Sequence, residues 1–232
     1  MTMQRLASAP VLFAILLGGC VTPQPIPEMS RPQSSGLGIE ISLSVSGLTP
    51  NGYAPNQVYF VRIDNEDGLL QQQLYHSNYV KDGLNADGTW ETPPRAYLLN
   101  APPGTYVAVA GLHIMRGGAG GGRFTYYFDK KLVELTKVTV RENDFAFMGS
   151  YAVGESGRAG FNRFSGADQV QTHYKNVIAP EATTNAVLMF GQGNFNLLGT
   201  VREHKNDEMS RNEFFLRAKG DLAGSAWAGR FK

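Results

Sequence analysis

Apolar and polar residues alternate along much of this chain, most clearly from position 39. Ile39, Ile41, Leu43 and Val45 alternate with polar residues, which predicts a β-strand with one face in a core and the other in water. Further segments of strand composition follow at 58–63, 95–99, 105–114, 123–128, 137–140 and 144–153. Asn-Gly, acidic and Pro-Gly turn signals separate them. The pattern predicts a mainly β domain, an antiparallel β-sandwich of about seven or more strands.

The one clear helical pattern lies near the end of the chain. Ser210 stands three residues before Glu213, as in a capping box, and apolar residues follow at fourfold spacing from Phe214. This spacing predicts an α-helix over about residues 210–223. We expect its apolar side to pack on a sheet face or to close the end of a barrel.

Two glycine-rich stretches are expected to lie outside the strands. The block 117–122 separates the strands at 105–114 and 123–128, which predicts a hairpin with a glycine-rich tip. The region 154–180 is polar as well as glycine-rich, so we expect a long loop or an insertion there. A last strand is expected at 187–190.

The order of several motifs resembles a known group of domains. Leu98-Leu99 precedes the turn Pro103-Gly104-Thr105-Tyr106, and Val138-Thr139-Val140, Glu142, Phe145 and Phe147-Met148-Gly149 follow. This order resembles the prealbumin-like or immunoglobulin-like domains of uncharacterised bacterial lipoproteins, in which a Pro-Pro-Gly-x-Tyr turn feeds a strand. The resemblance covers residues 57–153. It implies a fold and a location, not a reaction.

The N-terminus has the pattern of an export signal. A short polar stretch with Arg5 precedes the apolar run 11–17, which is too short to span a bilayer as a helix. The next residues, Leu17-Gly18-Gly19-Cys20, resemble a bacterial lipobox, which implies cleavage before Cys20 and a diacylglycerol on its thiol. Val21, rather than Asp, follows the cysteine, and the resemblance then implies transport to the outer membrane. The leaflet and the face remain open.

A Pro- and Ser-rich segment follows this cysteine and lacks the residues needed for a core. The sequence therefore divides into a signal peptide at 1–19, a tether at 20–36 and a β-sandwich domain at 37–232. The domain carries the polar loop 154–180 and the C-terminal helix. At about 3.1 Å per residue, an extended tether would reach roughly 50 Å.

The charge balance excludes a general affinity for polyanions. The 232 residues include 21 Lys and Arg against 20 Asp and Glu, a formal net charge of +1. We therefore expect no nucleic-acid partner. Cys20 is the only cysteine in the sequence, so intrachain disulfides, thiolate metal clusters and a cysteine nucleophile in the mature domain are excluded.

No stretch of the sequence carries a recognised catalytic, metal or cofactor motif. The glycine block lacks the Lys-Ser/Thr of a phosphate loop, so no nucleotide is expected. The four histidines are too far apart in sequence for a paired zinc motif, and no Ser lies in a nucleophile elbow. The Asp-Gly turns at 82–88 have the wrong spacing for an EF-hand. We expect no cofactor, no metal and no catalytic residues.

Aromatic residues supply the one feature with binding character. In the strand at 123–128, Phe124, Tyr126 and Phe128 share one face, and Arg123 shares the other with Tyr127. Core packing explains such a strand equally well. If one face is exposed, Tyr126, Tyr127 and Arg123 would contact a protein or a glycan.

These observations favour a non-catalytic envelope lipoprotein, acting as a membrane-anchored accessory protein, scaffold or ligand-binding module. Its partners would be the membrane, through the lipid on Cys20, and an envelope protein. Two alternatives stay open. One is a surface-exposed adhesin or host-interaction lipoprotein. The other is an envelope hydrolase whose residues are distant in sequence, with Glu155, Asp168 and His173 as the first candidates.

Overall fold

The computed structural model of the protein describes residues 24–44, 52–63, 74–84, 91–115, 122–158 and 193–231. Its strands are β1 (Ser35–Ser44), β2 (Gln57–Arg62), β3 (Leu74–His76), β4 (Tyr79–Lys81), β5 (Arg95–Ala101), β6 (Gly104–Met115), β7 (Gly122–Phe128), β8 (Val138–Val140), β9 (Phe145–Arg158) and β10 (Gly193–Lys205). Its helices are α1 (Lys130–Leu135), α2 (Glu208–Asp221) and a C-terminal 3-10 helix (Ala226–Arg230). The expected strand at 187–190 lies outside the described residues.

The described strands form one mixed sheet, so the mainly β prediction is confirmed and the antiparallel sandwich is corrected. The order is β3-β2-β6-β7-β10-β9-β1-β5-β4, with β8 paired to β6. β6 and β7 form the predicted antiparallel hairpin, but β1 pairs with β9 and β7 pairs with β10 in parallel. Alternation along a strand shows which side chains share a face, and it carries no information about the direction of the neighbouring strand.

The sheet curls into a half-barrel, and residues 74–81 bridge its two edges. Ser77 donates its backbone N–H to the carbonyl of Val58 in β2, at 2.7 Å, and Asn78 donates to Tyr97 in β5, at 2.9 Å. The first half of this segment, β3, therefore pairs with the edge strand β2, and the second half, β4, pairs with β5 at the other edge. The C-terminal ends of β1, β6 and β9 lie at the same end of the half-barrel, which we call the upper end. The opposite end is the lower end.

Two apolar cores lie on the two faces of β1. Leu37, Ile39, Ile41 and Leu43 point into the interior of the half-barrel, and each is fully buried. On the other face, Gly38 leaves room for the rings that α2 and the neighbouring strands place against the sheet. A Cβ at this position would overlap those rings, so the close approach of α2 requires glycine here.

The outer face of β1 is buried, although its polar residues predict exposure to water. Glu40 is 2% exposed and accepts a hydrogen bond of 2.9 Å from Arg217 of α2. Beside it, the Arg95 guanidinium makes a bidentate pair with Asp221, at 2.5 and 3.0 Å, and Tyr97 donates to the same carboxylate at 2.6 Å. Pairing of each charge compensates its removal from water, so helix α2 covers this polar face without leaving a lone charge.

The C-terminal helix is confirmed, but it begins earlier than predicted. Asp207 is the N-cap, and its carboxylate accepts from the backbone N–H of Ser210 at 2.8 Å. Ser210 in turn accepts from the backbone N–H of Asp207 through its Oγ, at 3.1 Å. The capping box is therefore formed by Asp207 and Ser210, rather than by Ser210 and Glu213.

Residues 24–34, which fall within the predicted tether, lie against the outer core. Ile26 and Met29 pack on the cluster around Phe145 and Trp227. Strand β1 follows directly from the end of this segment.

Helix α1 closes the lower end of the half-barrel. Its Leu132 and Val133 enter the inner core, and Asp129 caps its first turn through a hydrogen bond of 2.8 Å to the Leu132 N–H. The Thr136 hydroxyl oxygen accepts from the Ala108 N–H at 2.9 Å, and Tyr151 donates to the Leu135 carbonyl at 2.8 Å. The side chains of α1 therefore fill the lower end of the half-barrel interior.

Candidate functional site

Polar and aromatic side chains meet on the inner face at the upper end of the half-barrel. Cross-strand pairing sets this arrangement, because directly opposed residues share a face. We call this group the upper cluster; its members are Tyr53, His113, Phe124, Tyr126, Glu155 and Phe195. Phe124 lies opposite His113 and Phe195, Tyr126 opposite Gly111, and Glu155 opposite Gly199.

Two aromatic stacks form one wall of the upper cluster. The rings of Tyr53 and His113 lie 4.3 Å apart and 9° from parallel. The rings of Phe124 and Phe195 lie 4.7 Å apart at 13°, and His113 is 6.5 Å from Phe124. Phe124 is buried, whereas Tyr53, His113 and Phe195 are partly exposed. The wall therefore presents flat apolar surface at the margin of the core.

His113 is held as a neutral ring with a defined tautomer. Burial lowers the pKa of His113, and a hydrogen bond to the Ala54 carbonyl opposes this shift only in part. That bond joins Nδ1 to the Ala54 oxygen at 2.9 Å. Because a carbonyl can only accept, Nδ1 carries the proton, and Nε2 of the neutral ring keeps its lone pair.

The hydroxyl of Tyr126 is buried without a partner in the described part of the chain. Tyr126 is 0% exposed, and its Oη makes no hydrogen bond there. Other buried tyrosine hydroxyls are satisfied: Tyr97 donates to Asp221 and Tyr106 to the Pro102 carbonyl, each at 2.6 Å. A buried hydroxyl that lacks a partner costs about 1–3 kcal/mol, so its retention calls for an explanation.

The charges nearest Tyr126 have opposite signs. Burial raises the pKa of Tyr126, the negative charge of Glu155 raises it further, and the positive charge of Arg202 opposes both. The Arg202 side chain crosses β9 at Gly154, where a Cβ would collide with its guanidinium. The Tyr126 phenol therefore stays protonated at neutral pH and is able to donate or accept a hydrogen bond.

The structure distributes the binding residues expected from the sequence over both faces of β7. Tyr126 enters the upper cluster, whereas Tyr127 and Arg123 lie on the outer face beside Tyr59. Tyr126 and Tyr127 are both buried, at 0% and 1% exposure, so neither ring forms an exposed tyrosine surface. Tyr59 donates to Gln57 at 3.0 Å and also lies within hydrogen-bonding reach of Arg123.

The remaining candidates have mixed placements. Glu155 of the hydrolase alternative belongs to β9 and to the upper cluster. Asp168 and His173 lie outside the described residues, as does Cys20. Sequence reasoning missed Phe195, although Phe195, Leu197, Gly199 and Val201 alternate in β10 as a strand predicts.

Within the described ranges, no three His, Cys, Asp or Glu side chains lie close enough to hold a metal ion. The helices of this part of the chain are also too short or too polar to cross a membrane. The upper cluster offers hydrogen-bond acceptors, a hydroxyl and aromatic planes, which are groups that commonly line ligand-binding sites. No protein-family model matches this sequence, and no curated protein or solved structure matches it.

Proposed function

We propose that this protein is a membrane-anchored envelope lipoprotein that binds a ligand and does not catalyse a reaction. A lipid on Cys20 holds it at the outer membrane, and the upper cluster receives the ligand. Because Tyr126 is fully buried, binding requires the partly exposed rings of Tyr53, His113 and Phe195 to move aside. The lipobox-like residues and the single cysteine support the anchor. The Tyr126 hydroxyl, which has no hydrogen-bond partner among the described residues, is the observation that carries the binding role.

The contrast among buried tyrosines supports a ligand at Tyr126. Tyr97, Tyr106 and Tyr151 are equally enclosed, and each donates to a protein oxygen at 2.6–2.8 Å. Phenylalanine at position 126 would fill the same core volume without burying an unpaired hydroxyl. Functional sites are where proteins keep such locally unfavourable groups, since the ligand supplies the missing partner.

The chemistry of the upper cluster favours a neutral, hydroxyl-bearing ring. Nε2 of His113 and the carboxylate of Glu155 accept hydrogen bonds, and Tyr126 either donates or accepts one. The stacked rings of Tyr53, His113, Phe124 and Phe195 present flat surfaces to apolar C–H groups. A sugar ring combines hydroxyl donors with an apolar face, so we propose a glycan of the envelope as the ligand class.

Titration calorimetry tests the binding role with two defined probes, oligomers of N-acetylglucosamine and soluble muropeptides from digested peptidoglycan. The full chain with Cys20→Ser serves as the parent. Loss of the Tyr126 hydroxyl removes about 1.4 kcal/mol of binding free energy, so Tyr126→Phe is expected to weaken binding about tenfold. Tyr151→Phe, at a hydroxyl that already donates to Leu135 and Met148, is the matched control and keeps the affinity.

Three outcomes would overturn parts of this proposal. Absence of binding to either probe rejects the glycan class. New reducing ends in the reaction mixture show hydrolysis and reject the non-catalytic role. Equal affinities for Tyr126→Phe and the parent reject the upper cluster as the site. The anchor is tested separately, by palmitate labelling and membrane fractionation of cells expressing the wild-type chain or Cys20→Ser.

A further inference from the structure

Residues 24–34, which we call the strap, are bound to the domain through both backbone and side chains. Trp227 donates from Nε1 to the Pro27 carbonyl at 2.8 Å, and Gln24 donates from Nε2 to the Asn78 carbonyl at 3.0 Å. The backbone N–H of Asn143 donates to Gln33 at 3.0 Å. These contacts come from three separated parts of the chain.

Asn100 clamps the middle of the strap. Its Nδ2 donates to the Glu28 carbonyl at 2.8 Å, and its Oδ1 accepts from the Ser30 N–H at 2.8 Å. The Asn100 side chain thus makes the two hydrogen bonds to the strap backbone that a neighbouring strand would otherwise make. Its backbone has a φ of +63°, in the left-handed region, which asparagine tolerates better than most residues. Arg230 adds a hydrogen bond to the Pro32 carbonyl.

The bound strap shortens the reach of the anchor. Only four residue steps separate Cys20 from Gln24, the first described residue of the strap. Even fully extended, four steps span at most about 14 Å. The point where the strap begins therefore stays within about 14 Å of a lipidated Cys20, compared with the roughly 50 Å that a free tether of the full segment would allow.

We propose that the strap fixes the orientation of the domain on its own membrane, with the β4 edge of the half-barrel facing the phospholipid headgroups. This rests on the proposed function, because it requires a lipid on Cys20. Gln24 is bonded to Asn78, which directly precedes β4, so this edge is the part of the sheet nearest the anchor. Lys81 of β4 is exposed, so a label at this position lies on the surface of this edge.

Strand β10 provides the reference surface on the far side of the half-barrel. Four strand steps separate it from β4 in the order β10-β9-β1-β5-β4. At about 4.8 Å per step, this places β10 roughly 19 Å away along the curled sheet. Glu203 of β10 is exposed, and like Lys81 it is suited to carry a label. A fixed orientation predicts different membrane distances for the two positions, and a free tether predicts equal ones.

Fluorescence quenching in vesicles of phosphatidylethanolamine and phosphatidylglycerol tests the proposal on the full, lipidated chain. Because Cys20 is acylated and is the only natural cysteine, Lys81→Cys or Glu203→Cys provides a single free thiol for a fluorophore. Headgroup-labelled quencher lipids are expected to remove more fluorescence from position 81 than from position 203. Equal quenching, or stronger quenching at position 203, overturns the proposal.

Release of the strap gives the second arm of the test. Asn100→Gly tolerates the positive φ and removes the clamp, and Trp227→Phe removes the bond to Pro27. With both substitutions, we expect the difference in quenching between the two labels to disappear. Asn143→Gly is the matched control: Asn143 also has a positive φ, +62°, but it contacts the strap through its backbone N–H, which glycine retains.

The two proposals fail in distinguishable ways. The mass of the N-terminal peptide reports whether Cys20 carries a lipid, independently of orientation. An unmodified Cys20 rejects both the anchor and the membrane-facing edge. A lipidated, vesicle-bound protein with equal quenching rejects only the orientation. Retention of the full quenching difference after release of the strap rejects the strap as its cause.

Discussion

The indole of Trp227 donates a hydrogen bond of 2.8 Å to the carbonyl of Pro27, across 200 positions of sequence. Trp227 is fully buried, and its ring lies 6.5 Å from that of Phe145 at 78°. A proline carbonyl in a segment without strand partners would otherwise need water. The bond therefore joins the C-terminal 3-10 helix to the strap and makes residues 24–34 part of the folded domain.

Trp227→Phe is expected to loosen the strap while keeping an aromatic ring in the outer core. The lost hydrogen bond and reduced burial lower the free energy of unfolding by about 1–3 kcal/mol. Chemical denaturation measures this loss, and limited proteolysis is expected to cut faster within residues 24–34. Unchanged stability together with an unchanged cleavage rate would show that the bond does not hold the strap.

Tyr126→Phe and Tyr151→Phe are expected to change stability in opposite directions. Tyr126→Phe removes a buried hydroxyl that has no partner in the described ranges, so the unliganded protein should gain about 1 kcal/mol. Tyr151→Phe removes bonds to the Leu135 and Met148 carbonyls, and a loss of about 1–2 kcal/mol is expected. Urea denaturation compares the two variants. Destabilisation by Tyr126→Phe would mean that its hydroxyl is already satisfied.

Gly38→Ala tests the close contact between β1 and helix α2. The added Cβ would overlap the Phe214 and Tyr97 rings, and overpacking of this kind costs about 1–3 kcal/mol. Gly220→Ala, near the end of α2, is the matched control, since its added Cβ would meet nothing within 4 Å apart from its chain neighbours and the backbone of its own helix. Because alanine favours the helix, this control should gain about 0.5–1 kcal/mol. Equal melting temperatures for the two variants would contradict the tight packing.

Asp221→Asn is expected to destabilise the domain strongly. It leaves the Arg95 guanidinium, whose side chain is 4% exposed, without its anionic partner. Breaking one side of a buried pair costs about 3 kcal/mol or more. The control is Glu213→Gln, at an exposed pair with Arg217 within α2, where a change below about 0.5 kcal/mol is expected. Similar effects of both substitutions in denaturation curves would argue against a structural role for the buried pair.

His113 makes stability depend on pH in the mildly acidic range. Burial lowers its pKa in the folded protein below the ordinary value of 6.5. As the pH falls through about 6.5, the unfolded chain binds the proton first, so the stability due to the neutral ring is lost progressively toward the folded pKa. His113→Gln should reduce this slope of unfolding free energy between neutral and mildly acidic pH. An unchanged slope would show that His113 is not its source, and His76→Gln, at an exposed position, serves as the control.

The upper cluster was only partly predictable from sequence. The alternation in 123–128 correctly placed Tyr126 and Tyr127 on opposite faces, because a strand has a local period of two. It did not show that both rings are buried, since burial depends on what the rest of the chain places above each face. His113 could be assigned to a strand, but its stacking on Tyr53 depends on a contact across 60 positions.

The sequence by itself determined the mainly β composition, the β6–β7 hairpin and the C-terminal helix, because each follows from short-range periodicity or a turn. Only the tertiary structure decided that β1 pairs in parallel with β9 and that Glu40 is buried against Arg217. It also decided that the proline-rich strap is bound. Proline lacks the N–H of a strand ladder, so the strap has no local signal for order. Its carbonyls find donors in Trp227, Asn100 and Arg230, which only the folded chain brings beside it.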